Sequence, residues 1–386
     1  MWYLNIYFVI SFYSVNNGCK SVLRIIYLTS IILLLLLESC ATSSKQDAVD
    51  LQPLYFPPPP DQPRFVFEHI VQSSRQIESV DSKQALREFL TGETSSGMAL
   101  VKPFDVAVCH GIIFVSDTVL RSVLVFDIPG KRFFEIGKDL PGTLRKPLGL
   151  DTDEECNVYV ADGTTRSIMV FNQAGEYLKS LGGKKWFDRL THVAVDSEGQ
   201  HIYAVDTGGV GSENHHVRVF DVETGKHLRD IGKRGSKPGE LNLPRDIAID
   251  DSGKLYVVDG GNFRVQVFNQ NGDFVQQIGK LGRQYGDFAR PKGIAIDQQG
   301  NIYVSDTAHG NYQIFNSSGE LLLFVGARSE KFERAAYMLP AGIDVDEDGR
   351  VYIVDQYFRK LDIYRPAGLK EGEGFLGTWT VKSITQ

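Results

Sequence analysis

Few side chains in this sequence have both the type and the setting for chemistry. Four histidines, His192, His215, His216 and His309, fall in segments that break the local pattern of the chain, and imidazoles serve as general bases or as metal ligands. Their spacing contains no H-x-x-x-H ligand pair, and there is no nucleophile elbow or phosphate-binding loop. Asp344, Asp346, Asp348 and Gly349, with Asp355 eleven residues after Asp344, imitate a calcium loop. Such a loop joins two helices, whereas this one stands between two strand patterns, where a hairpin turn is expected. A third group is cationic and aromatic: Arg245, Arg264, Arg290, Lys292, Tyr357, Phe358 and Arg359.

The elements that must carry these residues come from a repeat. Each unit opens with a lead-in such as Pro244-Arg245-Asp246-Ile247 or Pro291-Lys292-Gly293-Ile294. An apolar strand then ends in aspartate, at Asp117, Asp162, Asp206, Asp259, Asp306 and Asp355, and a further strand closes on an aromatic residue. The intervals between these aspartates are 45, 44, 53, 47 and 49 residues, the period of a propeller blade of four short strands. The 38 glycines fit the turns, for example Asp297 to Gly300 and Asn269 to Gly272, in which Asp or Asn caps and Gly takes the left-handed position.

The combination of P-x-G-I-A-I-D, D-x-x-G-x-I-Y-V-x-D and R-V-Q-V-F resembles the NHL-repeat family of β-propellers, clearest at Asn262, Arg264, Val265, Val267 and Phe268. The expected fold is all-β, a six-bladed propeller over residues 101–364. The third repeat departs from the pattern: Thr191 stands where the lead-in proline belongs, and Gly208 to His215 is inserted after Asp206. The last repeat lacks a fourth strand after Tyr364. Phe65 to Ile70 alternates suitably to supply it and is preferred to Thr378 to Ile384. Six-bladed relatives of this kind include lyases and lactonases with a metal held in the central channel. The resemblance therefore implies one alternative, a metal-dependent lyase or hydrolase using a divalent ion.

In a blade, the lead-in and the loop between the second and third strands share one face. His192, His216, Arg245, Arg264, Arg290, Lys292, His309, Tyr357, Phe358 and Arg359 map there and form the candidate binding face; no catalytic residue, cofactor or metal ligand is assigned. The six strand-end aspartates read as structural, because regular repetition signals architecture. The chain has a net charge of −7, which argues against nucleic acid as the main partner. This face nevertheless reads as locally basic.

Upstream, Lys20 and Arg24, the apolar run Ile25 to Leu37 and Leu37-Glu38-Ser39-Cys40 resemble a bacterial lipoprotein signal, with Cys40 as the lipidated residue and translation expected to start near Val22 or Leu23. The expected organisation is a signal over 1–39, a polar and proline-rich linker over 40–63 containing a stiff Pro57 to Pro60 spacer, a closing strand and brace helix over 64–100, the propeller, and a tail over 365–386. Cys109 and Cys156 fall in equivalent turns of adjacent blades, and two free thiols are expected, since a bond requires Cα atoms within about 7 Å. The expected function is a monomeric, lipid-anchored extracytoplasmic module of the cell envelope, on the outer membrane if the cell is Gram-negative. It would act as a scaffold or ligand-binding module for an envelope or extracellular protein; a cell-wall polysaccharide is the other partner considered.

Overall fold

A computed structural model describes residues 52–77, 90, 97–377 and 379; the signal segment, Cys40 and, apart from Leu90, the brace helix lie outside them. The first blade hydrogen-bonds Pro103–Cys109, Ile112–Asp117, Ser122–Asp127 and Arg132–Ile136 in that order. Four more sheets of the same order begin at Pro147, Leu190, Pro244 and Pro291. The first strands touch one another in cyclic order, with Pro340–Val345 of the sixth blade returning to Pro103–Cys109. The described residues thus form a closed six-bladed ring.

Strand composition follows from position in the ring. Inner strands lie between two neighbouring blades, so both faces are apolar: every residue of Ser122–Asp127 and of Val351–Asp355 is buried. Fourth strands face solvent on one side, and Phe274–Ile278 and His227–Ile231 alternate half-buried and exposed up to a buried final isoleucine. The core is accordingly divided into clusters between adjacent blades, such as Ile113, Val115, Tyr352 and Val354 between the first and sixth.

The N-terminal segment completes the sixth blade. Phe65–Val71 runs antiparallel to Lys360–Pro366, from Phe65 opposite Pro366 to Val71 opposite Leu361, and buries Phe65, Phe67 and Val71. Arg350, fully buried, joins Glu68 of this strand at 2.9 Å and Asp348 at 2.9 Å. The proline run is corrected here. Tyr55–Phe56 pairs back onto Val66 and Phe65, so Pro57 to Pro60 lies in the loop of a hairpin, not in an extended spacer.

Each strand-end aspartate is fully buried and ties two loops together. Asp117 accepts the N–H groups of Val101 and Lys102 from the lead-in, at 2.8 and 2.7 Å, and those of Val119 and Leu120 from the next turn, both at 3.0 Å. Asp162, Asp306 and Asp355 repeat this pattern of four backbone donors. A carboxylate accepting several backbone N–H groups is a strong local staple, and it fixes both loop sets on one face.

Two further expectations are corrected. Cys109 and Cys156 form a disulfide with Cα atoms 5.6 Å apart, because turns in equivalent places on adjacent blades meet at the rim. In the third blade, Leu190 pairs with Asp206 as Pro147 pairs with Asp162 and Pro244 with Asp259. Leu190 therefore holds the proline place, and His192 moves one position inward, level with Asp105 and Asp246.

Candidate functional site

That one-residue shift organises the central channel. At the third lead-in position the six blades place Asp105, Gly149, His192, Asp246, Gly293 and Gly342. The glycines are needed for close approach. A Cβ on Gly149 would collide with the His192 ring, and one on Gly342 would strike Asp105. His192 Nε2 lies 3.4 Å from Asp105 Oδ2 and 3.7 Å from Asp246 Oδ1, and all three side chains are at most 6% exposed. Burial, then the positive charge of Lys292, holds the His192 imidazole down to about 3, so it is neutral. Its ring meets Phe104 at 5.5 Å, and Lys292 Nζ lies 5.0 Å from the Phe104 centroid.

Carboxylates of this channel also staple the blades. Asp105 accepts Leu150 N–H at 2.9 Å, Asp151 accepts Val195 at 2.9 Å, Asp246 accepts Ile294 at 2.9 Å and Asp344 accepts Val108 at 2.7 Å. At the third-to-fourth and fifth-to-sixth joints, hydroxyls act instead: Thr207 donates to Pro244 O at 2.7 Å and Thr307 to Pro340 O at 3.0 Å. Burial pushes Asp105 and Asp151 up to about 7 and raises Asp246 and Asp344 strongly. A carboxyl raised in this way keeps its proton in the folded chain at pH values where the unfolded chain has lost it. Its contribution is full below pH 4 and is lost as pH rises through about 7. Asp151→Asn, fixed in the neutral form, is expected to flatten the fall in stability between pH 5 and 7 by about 1.4 kcal/mol per pH unit, read from urea midpoints. An unchanged slope would show that Asp151 is ionised in the fold.

The two ends of the channel differ. On the side of the turns between first and second strands it opens into a cavity of about 600 Å³ lined by Asp151, Asp344, Asp196, Asp250, Tyr203 and Arg229 among others. On the lead-in side stand Arg245 and Lys292, with Arg189 and Arg290 beside them. Burial, followed by repulsion from Arg189 and Arg290, lowers Arg245. Lys292 is held down to about 8 by burial, with Asp105 opposing and Arg290 and Arg245 adding to the depression.

The predicted site residues separate into two sets. His192 and Lys292 meet at the Phe104 ring in the channel, with Arg245 and Arg290 near enough to act on Lys292; Tyr357 and Arg359 are exposed on the lead-in face, and Phe358 is half-buried beside Tyr357 at 5.1 Å. Arg264, His216 and His309 do not join them. Arg264 is buried in an ion pair with Asp259 at 2.9 Å and donates to Gln277, Lys237 O and Glu240 O, so its guanidinium is consumed within the ring. His216 is buried opposite Asp206 on the third strand of its blade. His309 is half-buried with Nδ1 3.8 Å from Asp306. His215 is also structural, its Nδ1 accepting Leu243 N–H at 3.2 Å. The calcium-like residues diverge: Asp346 accepts from Tyr352 in the hairpin turn, while Asp355 serves the opposite face. Among the described residues, the one group of three possible metal ligands within mutual reach is Cys109, His110 and Cys156, and its two sulfurs are bonded to each other. The sequence reading missed Phe104, whose role requires side chains from three blades to meet.

The family profile described as "NHL repeat" matches residues 241–268 and 288–315. "NHL repeat-containing protein 3" of Mus musculus is 29% identical over 48% of this chain and 54% of its own length, so the match spans about half of that relative. Among solved structures, a gluconolactonase from Xanthomonas campestris superposes with TM-score 0.53 and 14% identity, covering 81% of this chain and 97% of that one. A virginiamycin B lyase from Staphylococcus aureus gives TM-score 0.51 and 11% identity over 77% and 98%. Structural likeness at such identities establishes the fold alone.

Proposed function

From the premise that this chain is an NHL-repeat β-propeller of six blades, we propose that it is a non-catalytic binding module whose lead-in face docks an acidic protein of the cell envelope or extracellular space. The observation that carries this reading is the distribution of exposed apolar side chains. Of the thirteen large apolar side chains exposed among the described residues, seven, Val119, Leu140, Val210, Leu281, Tyr285, Phe332 and Tyr357, lie in lead-ins or in loops between second and third strands, on one face, whereas Leu178, Leu228, Val275 and Phe324 are spread over four fourth strands and Leu90 and Phe375 lie outside the blades. Interfaces combine aromatic anchors with arginine. Here Phe332, Phe358 and Tyr357 form an edge-to-face cluster with ring centroids 5.9 and 5.1 Å apart, next to the exposed Arg359. Cations on that face, in a chain of net charge −7, favour an acidic partner over a basic one.

An extracytoplasmic setting is supported by the disulfide, since such bonds persist in oxidising compartments, and by the lipoprotein-like segment ending at Cys40. No helix of the described residues is long and apolar enough to cross a membrane. Anchoring through Cys40 predicts that Cys40→Ser abolishes incorporation of labelled fatty acid; continued labelling would remove the anchor from this reading.

Docking is tested with a photocrosslinker placed at Tyr357 or, as a control, at the exposed Gln299 on the other face. Discrete adducts are expected only from Tyr357. Combining Phe332→Ala with Arg359→Ala should weaken capture of the acidic partner by tenfold or more. Equal adducts from both positions would defeat the assignment of the face.

A further inference from the structure

Within the docking face, the channel mouth is chemically lopsided. At the second lead-in position the six blades present Phe104, Leu148, Thr191, Arg245, Lys292 and Ala341. At this position the cations therefore come from the fourth and fifth blades, and the other blades give an aromatic ring, aliphatic groups and one hydroxyl. The position just before holds Lys102, Lys146, Arg189, Leu243, Arg290 and Leu339, of which Arg290 acts on Lys292. Arg189, Arg245, Arg290 and Lys292 take part in no ion pair among the described residues. Lys292 nevertheless reaches across the channel to the Phe104 face, with Nζ 5.0 Å from its centroid, instead of extending into solvent. Like charges gathered at a partly desolvated mouth repel one another, and an anion entering among them relieves that repulsion.

We propose that this mouth is a binding site for a carboxylate on a short apolar stem, its oxygens held by Arg245, Arg290 and Lys292 and its stem laid against Phe104. Arginine forks fit the planar carboxylate, and the apolar half of the ring suits the carbon stem. A phosphate, which seeks donors on all sides, would leave oxygens facing Phe104 and Ala341. Deepening the proposed docking, the carboxylate is one presented by an acidic loop of the docked protein; a free dicarboxylic acid shares the chemistry and is a separate arm of the test.

The groups facing Lys292 give the pH dependence. Asp105 and Asp355 attract it, Arg245 and Arg290 repel it, and His192 is neutral throughout the range used. Asp105, held up to about 7, is protonated in mild acid and then does not compete for the cation. Above about 8, Lys292 loses its charge. Carboxylate binding should therefore be tightest near pH 6 and fall by tenfold or more by pH 9.

The experiment is calorimetric titration of the purified full chain with glutarate, with an N-acetylated acidic peptide, with glutaramide and with inorganic phosphate. Expected are binding of at least one carboxylate probe, none of glutaramide, and a loss of tenfold or more in Lys292→Met, with binding retained in Lys292→Arg. Tighter peptide than glutarate binding identifies a loop of the partner as the source; the reverse identifies a free acid. No binding of either carboxylate, equal binding by Lys292→Met, or preference for phosphate overturns the site. Since the titrations need no docked protein, crosslinking from Tyr357 without carboxylate binding would sink this site and leave the docking face standing.

Discussion

Replacing Cys109 and Cys156 together by alanine is expected to lower the free energy of unfolding by about 4 kcal/mol, the chain entropy released when a loop spanning 47 residues is no longer closed. The loop contains the remainder of the first blade and the first strand of the second. It therefore restricts the unfolded ensemble across the same joint that the Asp105 carboxylate staples in the folded state. Both sulfurs are nearly inaccessible, in residues 3 and 2% exposed. Urea titration of the double variant, beside the wild type with and without a reductant able to open the bond, separates two effects. A lowered midpoint in both the variant and the reduced wild type assigns the loss to the cross-link. A lowered midpoint in the variant alone assigns it to the missing sulfur packing.

What the sequence disclosed divides along a physical line. Periodic features were legible because each is a local pattern repeated: the strands, the hairpin turns and the strand-end aspartates all recur at the blade interval. The aspartates could be read as structural before their donors were seen, and Asp117 and Asp306 do bind backbone on both sides. Features made by different blades meeting were not legible. The disulfide depended on the spacing of two turns across a joint. The His192 site depended on a register set by Leu190 and Asp206, where a missing proline had removed the landmark. Phe104 was not singled out, because nothing near it in sequence shows that His192 and Lys292 reach its ring. Arg264 failed in the opposite sense: as the best match to a repeat motif it was the arginine most suited to an internal ion pair, and that is where it lies.

The second large effect is expected at Asp306. Its Oδ2 accepts Ala289 and Arg290 N–H groups at 2.8 and 2.9 Å, and its Oδ1 accepts Ala308 and His309 at 2.8 and 3.0 Å. Asp306→Ala removes a fully buried carboxylate and leaves four donors facing a small void. A hydrogen bond to a charged group contributes about 1.5 to 3 kcal/mol and neighbouring bonds do not add fully, so a loss of about 4 kcal/mol is expected. Asp306→Asn keeps one oxygen and turns an amide N–H₂ toward the other pair of donors, so it should lose about half as much. A local consequence separates this residue from its equivalents. Arg290, whose backbone Asp306 holds, stands at the carboxylate-binding mouth, whereas Asp162 holds Arg145 and Lys146 of the second blade, which gives the site no residue. Asp306→Asn should therefore weaken glutarate binding measured on the folded chain, while Asp162→Asn, with a comparable fall in urea midpoint, should not. Equal weakening by both would mean that general loosening of the ring, not the placement of Arg290, governs the mouth.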